Sequence, residues 1–257
     1  MTTDLTLYEV RQGAAWITLN RPDARNALSA QLVNGLHERL EQAQADGDAR
    51  CIVLTGAGPA FCAGADLKSP PGSVVGGQRG FGLDQLMAQI QDGTKPVIAA
   101  VNGTTFAGGL GLVGACDIVV TAEDAVFSFS EVRLGVVPAM ISVVCLPKLG
   151  PHQAMKLFLT GERFDGRRAV DLNLAHRAVP RDQLTAAVQE EVDMLALGGP
   201  SALTEIKKLV RRLPQLTREQ AFTETSALSL RMFTAPEGIE GMMAFREKRP
   251  PAWVRKA

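Results

Sequence analysis

Glu131 stands at the end of an apolar run, Phe127-Ser128-Phe129-Ser130-Glu131-Val132. A carboxyl group in such surroundings takes a raised pKa, which suits proton transfer near neutral pH. The plainer alternative is a surface ion pair with Arg133. Two glycine turns offer the complementary group. In Lys95–Asp117, KPVIAAVNGTTFAGGLGLVGACD, a buried strand passes through a glycine cluster into an apolar helix. The Gly108 amide at the mouth of that helix sits on the positive end of its dipole and can hold a developing oxyanion. In Phe61–Leu67, FCAGADL, small residues let a reacting group approach the backbone, and Ala65 N–H is the candidate second donor. Removing one such donor typically costs about 3 kcal/mol of transition-state stabilisation. Asp66 in the same turn reads better as an N-cap on a short helix than as a catalytic acid.

Competing chemistries fare less well. Gly109-x-Gly111-x-x-Gly114 matches the dinucleotide pattern G-x-G-x-x-G, but Asn102–Ala107 separates it from its strand and no acid closes a second strand at the expected distance. Close helix–strand packing is the other account of these glycines. His37 falls on the predicted polar side of a helix, while His152 and His176 lack a partnered nucleophile. No metal-ligand spacing occurs among His, Cys, Asp and Glu.

The elements that must position these residues alternate between strand and helix. Leu5–Val10 and Ala14–Leu19 form a hairpin around Gln12-Gly13, closed by Asn20-Arg21-Pro22. Ser29 caps a helix running to about Asp46, with Leu32, Val33, Leu36 and Leu40 as its apolar stripe. Cys51–Thr55 and Pro96–Val101 are buried strands, Leu83–Gln91 is a helix, and Ser69–Gly82 is a Gly/Pro/Ser-rich loop over a site. Leu110–Cys116 is helical, followed by strands at Ile118–Thr121 and Ala125–Phe129. Helices are expected at Gln153–Leu159, Gly166–Leu172, Arg181–Leu197, Ala202–Leu213 and Arg218–Phe233. The pattern predicts an α/β core with a helical C-terminal third.

Composition narrows the function classes. The chain has 257 residues, 46% hydrophobic, with 27 basic and 27 acidic residues. That fits one large domain with a full core, and zero net charge gives no electrostatic case for nucleic acid or an anionic membrane. Cys51, Cys62, Cys116 and Cys145 lie in apolar runs without a C-x-x-C pair, as buried thiols in a reducing compartment would. No signal peptide or membrane span is visible, so the expectation is a soluble cytoplasmic protein.

FCAGADL, then KPVIAAVNG…AGG…CDIVVTAEDAVFSFSE, then LTGERFDGRRAVDLNLAHRAV closely resemble the crotonase superfamily of enoyl-CoA hydratases and isomerases. The resemblance runs from about Leu5 to Trp253 and implies the crotonase (ClpP-like) α/β fold. That fold has repeated ββα units in two nearly perpendicular sheets and a helical C-terminal trimerisation region. Residues 1–195 would form the core and 196–257 the helical region, in a homotrimer or a hexamer of two trimers. The resemblance further implies an acyl-CoA thioester as substrate, coenzyme A arriving as part of it, with no separate cofactor or metal. It makes Ala65 and Gly108 the oxyanion-hole donors to the thioester carbonyl. It places Arg25, Ala27, Ala63, Asp66 and Leu67 along the coenzyme A, and Phe245 and Lys248 against coenzyme A bound to a neighbouring subunit, although Lys248 also reads as a solvated tail charge.

Hydratases of the family usually carry two glutamates. The second aligns with Glu131; the first aligns with Gly111, where a backbone-held water is the expected substitute. GGLGLVGACD with FSEVRLGVVPAMIS looks most like the methylglutaconyl-CoA hydratase type. The expected reaction is hydration of a 2-enoyl-CoA, or the reverse dehydration. A Δ3,Δ2-enoyl-CoA isomerase and a non-catalytic acyl-CoA-binding scaffold are the alternatives.

Overall fold

The computed structural model describes residues 4–254. The chain opens with the hairpin β1 (Thr6–Arg11) and β2 (Ala14–Leu19), then α1 (Ala30–Ala45). Three ββα units follow. The first is β3 (Cys51–Gly56), β4 (Ala60–Cys62), a small hairpin β5 (Val74–Val75) and β6 (Gln78–Arg79), and α2 (Leu83–Asp92). The second is β7 (Val97–Val101), β8 (Thr104–Phe106) and α3 (Gly108–Ala115). The third is β9 (Ile118–Ala122), β10 (Phe127–Ser128) and α4 (Ala139–Thr160). After α5 (Gly166–Asp171) and β11 (Arg177–Val179) come four helices, α6 (Leu184–Leu197), α7 (Pro200–Arg212), α8 (Arg218–Thr234) and α9 (Pro236–Glu247).

In each unit the first strand joins one sheet and the second strand another. The six-stranded sheet has the order β1-β2-β3-β7-β9-β11, with β1 antiparallel and every other neighbouring pair parallel. The three-stranded sheet is parallel, in the order β10-β8-β4. Both faces of the large sheet are covered, which explains its nearly unbroken apolar strands. Ile17, Leu54, Ala99 and Val119 point to the side packed by α1 to α4, whereas Trp16, Val53, Ile98 and Val120 meet Leu184, Val188 and Val192 of α6.

Several local expectations hold. Ser29 caps α1, its hydroxyl accepting from Leu32 N at 3.2 Å, and Leu32, Val33, Leu36 and Leu40 are buried. All four cysteines are buried, and desolvation pushes each thiol up to about 12. Others change. The Ser69–Gly82 loop contains the β5–β6 hairpin, turned by Gly76-Gly77 at φ 58° and 83°. Helix α4 begins fourteen residues earlier than the expected Gln153 and breaks at Gly150 (φ 69°, ψ 158°) ahead of Pro151. Helix α9 was not expected, because Pro236, Gly238 and Gly241 interrupt its pattern. The expected division between residues 195 and 196 lies in the last turn of α6, and Gly198-Gly199 then lead into α7.

Helix α7 is fastened to the core by charge. Lys207, 7% exposed, donates to Asp117 Oδ2 at 2.7 Å and to the Lys95 and Ile90 carbonyls. Arg211 takes Asp117 Oδ1 at 2.7 Å, and Val97 N takes Oδ2 at 2.8 Å. No described helix is long and apolar enough to cross a membrane.

Candidate active site

The site is built from two turns clamped side by side. Arg25 and Asn26 both adopt left-handed backbone, φ 51° and 55°, a conformation that asparagine tolerates better than most residues. The fully buried Asn26 side chain donates to the Ala57 and Ala60 carbonyls at 3.0 and 2.8 Å and accepts from Arg21 N at 2.9 Å. This pins the 21–27 turn to the start of β4. Ala63 N donates to Arg25 O, Leu28 N to Gly64 O, and Asp66 N to Leu28 O, at 2.8–3.0 Å. Gly64 has φ 96°, and a Cβ there would lie 3.0 Å from Ala107 Cβ and 3.1 Å from Phe106 O.

That close approach brings in a third turn, at Ala107. Ala107 N donates to Ser128 O at 3.1 Å, and Ala107 itself is held at φ 48°, ψ −118°, a strained backbone for a residue with a Cβ. Gly108 then opens α3, so its N–H has no intrahelical acceptor. A Cβ at Gly108 would lie 3.6 Å from Ala65 N. Among the described residues, neither Ala65 N nor Gly108 N has a hydrogen-bond acceptor. Two free amides on adjoining turns, one at a helix mouth, can hold one anionic oxygen.

Glu131 lies in the 3-10 turn Ser130–Leu134, three residues after the Ser128 that anchors Ala107. Its Oε2 is buried without a hydrogen-bond partner among the described residues. Desolvation raises its pKa above the ordinary carboxylate value, opposed only by its own backbone amide. The ion pair with Arg133 does not form; Arg133 donates instead to the Gly161 and Thr160 carbonyls at 3.3 and 3.2 Å. Glu131 acts electrostatically on Cys145, whose thiol donates to Leu110 O of α3 at 3.4 Å. The turn that carries the acid thus lies close to the contact between α4 and α3, the helix that starts at Gly108.

Gly111 is buried, and its side-chain space is taken. A Cβ there would come to 2.6 Å from Ile141 Cγ2 and 2.9 Å from Met87 Sδ. The side chains nearest that point are apolar, so a water near Gly111 would be held by backbone groups alone. Met87 carries no chemical signal in the sequence, whereas Ile141 lies in AMISVVC, Ala139–Cys145, whose apolar run reads as a wall beside the acyl group.

The remaining candidates divide. Arg25, Ala27, Ala63, Asp66 and Leu67 all lie on the two clamped turns, with Leu67 77% exposed. Asp66 does not cap a helix: its Oδ1 accepts from Lys68 N in a turn and its Oδ2 pairs with Arg21 at 2.5 Å, which lowers its pKa. Phe245 is 88% exposed at the end of α9, and Lys248 caps that helix in left-handed backbone. Within this chain neither takes part in the clamped turns. His37 is half-buried: it stacks on Phe81 with ring centroids 3.6 Å apart, and its ring nitrogens meet Gln89 Oε1 at 2.7 Å and Glu41 Oε1 at 3.4 Å. His176 is structural, Nδ1 accepting from Val119 N. Among the described residues no cluster of three or more His, Cys, Asp or Glu is placed to hold a metal. The glycines of the dinucleotide pattern are all inside α3, and Gly109 and Gly114 admit the Cys62 backbone and the Cys145 thiol.

The sequence profile of the enoyl-CoA hydratase/isomerase family matches residues 9–256. The chain belongs to that family. It is 35% identical over 251 residues to enoyl-CoA hydratase EchA19 of Mycobacterium tuberculosis, covering 95% of this chain and 94% of that one. It is 33% identical to the carnitinyl-CoA dehydratase of Proteus mirabilis, covering 92% and 93%. Among solved structures, an enoyl-CoA hydratase from Shewanella pealeana superposes with a TM-score of 0.88 at 30% identity over 98% of this chain and 97% of that one. Pseudomonas aeruginosa AtuE gives 0.88 at 31% over 98% and 100%. The paired sheets and ββα repeats are therefore the crotonase fold, and this is an enzyme of the enoyl-CoA hydratase/isomerase family.

Proposed function

We propose that the enzyme adds water across the double bond of a 2-enoyl-CoA, or removes it in reverse, with Glu131 as its base. The buried, unpartnered Oε2 of Glu131 beside the α3–α4 contact supports this most directly. The thioester oxygen rests on the Ala65 and Gly108 amides. Glu131 takes a proton from water as the water oxygen bonds to the β-carbon. The electron pair moves through the α-carbon to the thioester oxygen, where the two amides hold the enolate. The enolate then collapses, taking the proton back from Glu131 at the α-carbon. The clamped turns, with Arg25, Ala27, Ala63, Asp66 and Leu67, cradle the coenzyme A portion. Phe245 and Lys248 meet coenzyme A on a neighbouring copy, in a trimer or a pair of trimers.

If Glu131→Gln kept near wild-type turnover on crotonyl-CoA and methylglutaconyl-CoA, the assignment would fall. One observation favours a second reading. With Gly111 packed by Ile141 and Met87, the site offers a single carboxylate, and one base suffices to shuttle a proton in a Δ3,Δ2-enoyl-CoA isomerase. Mass detection after incubation with 2-enoyl-CoA and with 3-enoyl-CoA separates them: gain of water on the 2-enoyl ester supports hydration, and an unchanged mass with a shifted double bond on the 3-enoyl ester supports isomerisation. Binding of CoA esters without turnover of any would leave a scaffold.

A further inference from the structure

Gly108 and Gly111 stand three residues apart on α3 and share a face; Leu83 and Met87, four apart on α2, do likewise. The two rows run side by side. A Cβ at Gly108 would meet Leu83 Cδ2 at 3.2 Å and Leu28 Cδ1 at 3.3 Å. Less than one turn deeper, a Cβ at Gly111 would meet Met87 Sδ at 2.9 Å and Ile141 Cγ2 at 2.6 Å. Three residues of helix rise about 4.5 Å, so Ile141 closes the row within a few bond lengths of the Gly108 amide. The side chains that Gly108 and Gly111 meet here, Leu28, Leu83, Met87 and Ile141, are all apolar and buried. Ile141 belongs to the first turn of α4, beside the exposed Val137 and Met140, so the apolar surface continues outward from it.

We propose that Ile141, backed by Met87, determines acyl specificity: it is an apolar stop beside the reacting carbons. It makes the site select acyl groups that are pure hydrocarbon at that place and limits their branching. The inference rests on the acyl-CoA reading above and deepens it. An oxygen anchored on Gly108 fixes where the acyl chain starts, and Ile141 fixes how much volume is left next to it. A substrate with a second carboxylate would have to carry it beyond this stop, toward the open end of the surface.

The test is binding of non-reacting esters, which is independent of Glu131 chemistry. Butanoyl-CoA and 3-methylbutanoyl-CoA are titrated calorimetrically into the full-length enzyme and its Ile141→Ala and Ile141→Val variants. Removal of buried methyl groups from a hydrophobic pocket typically changes discrimination about tenfold or more per methylene-sized step. Ile141→Ala is expected to shift the affinity ratio at least about tenfold toward the branched ester, and Ile141→Val to shift it in the same direction by less. Circular dichroism melting establishes that each variant is folded; should Ile141→Ala fail to fold, the Ile141→Val ratio decides. A ratio within about twofold of wild type in the folded variants overturns the role of Ile141 alone, since one methylene-sized step should give more. A wild-type enzyme that binds neither ester overturns the acyl-CoA reading, and this inference with it.

Discussion

Helix α3 and the C-terminal helices are opposites. Every residue of α3, Gly108 to Ala115, is buried, while α8 buries none. Half of α3 is glycine because the Cys62 backbone, the Cys145 thiol and Ile141 occupy the places side chains would fill. Its chemistry is accordingly delivered by backbone at its mouth. In α8 and α9 the reverse holds: Phe222, Leu230, Phe233 and Phe245 project apolar side chains with the surface still open. One region is closed within the single chain, and the other leaves large apolar side chains exposed. Exposed apolar area on this scale marks an interaction surface, which supports the proposed assembly of copies.

The largest expected break in that contrast is at the site itself. Glu131→Gln should lower kcat by about 10²- to 10⁴-fold, the usual worth of a positioned base, with little change in KM. Steady-state kinetics on crotonyl-CoA would show it. Next comes the closed packing of α3. Gly109→Ala drives a methyl into the Cys62 carbonyl, which is backbone and cannot swing away. Overpacking of this kind costs about 2 kcal/mol, or ~6 °C in Tm for a chain of this size; an unshifted melt would show that α3 is less confined than its burial implies. On the open side, Phe233→Asp should reduce the mass measured by light scattering to that of one chain. If Phe233 stays solvent-exposed in solution, the mass is unchanged and the stability cost stays below about 0.5 kcal/mol.

The smallest effect is a pH dependence. The folded state raises the Glu131 pKa, so it favours the protonated acid. That contribution is fully present below the unfolded value of 4.5 and is lost as pH rises through the folded value. Glu131→Gln, which carries no charge at any pH, should therefore gain on wild type in Tm as pH rises from 4 toward 8, and match it near 4. With Glu131 as the proposed base, wild-type activity should run the other way, rising with pH as it ionises. A constant Tm difference across the range would contradict an uncompensated acid at 131.

The fold was largely legible where periodicity was long. The Ser29-capped α1, the buried strands β3, β7 and β9, and both glycine turns follow from stripes, caps and apolar runs. Short elements such as β4, β8 and β11 were not, since three residues carry no period. Helix α4 was half hidden because Pro147 and Pro151 read as breakers, yet the chain bends at Gly150 and continues. At the site, Glu131, Ala65 and Gly108 were visible because their residue types are unusual in context. Met87 was invisible because a core-type residue looks the same wherever it points, and Ile141 was legible only as one member of the apolar run AMISVVC. Asn26 did not stand out, because two of its three hydrogen bonds, to the Ala57 and Ala60 carbonyls, reach residues more than thirty positions away.

The packing at Gly111 also bears on which sequences lie within reach of this one. A carboxylate acquired at that position by a single replacement would meet Ile141 and Met87, and both side chains would have to move to admit it. Each first step alone is penalised: the acid collides, or the shortened Ile141 leaves a void. Two contacting positions of this sort are not additive, and the pair must change together. A lineage with this arrangement therefore crosses a valley between neighbouring genotypes to reach an acid at position 111, quite apart from whether that acid would make the enzyme faster.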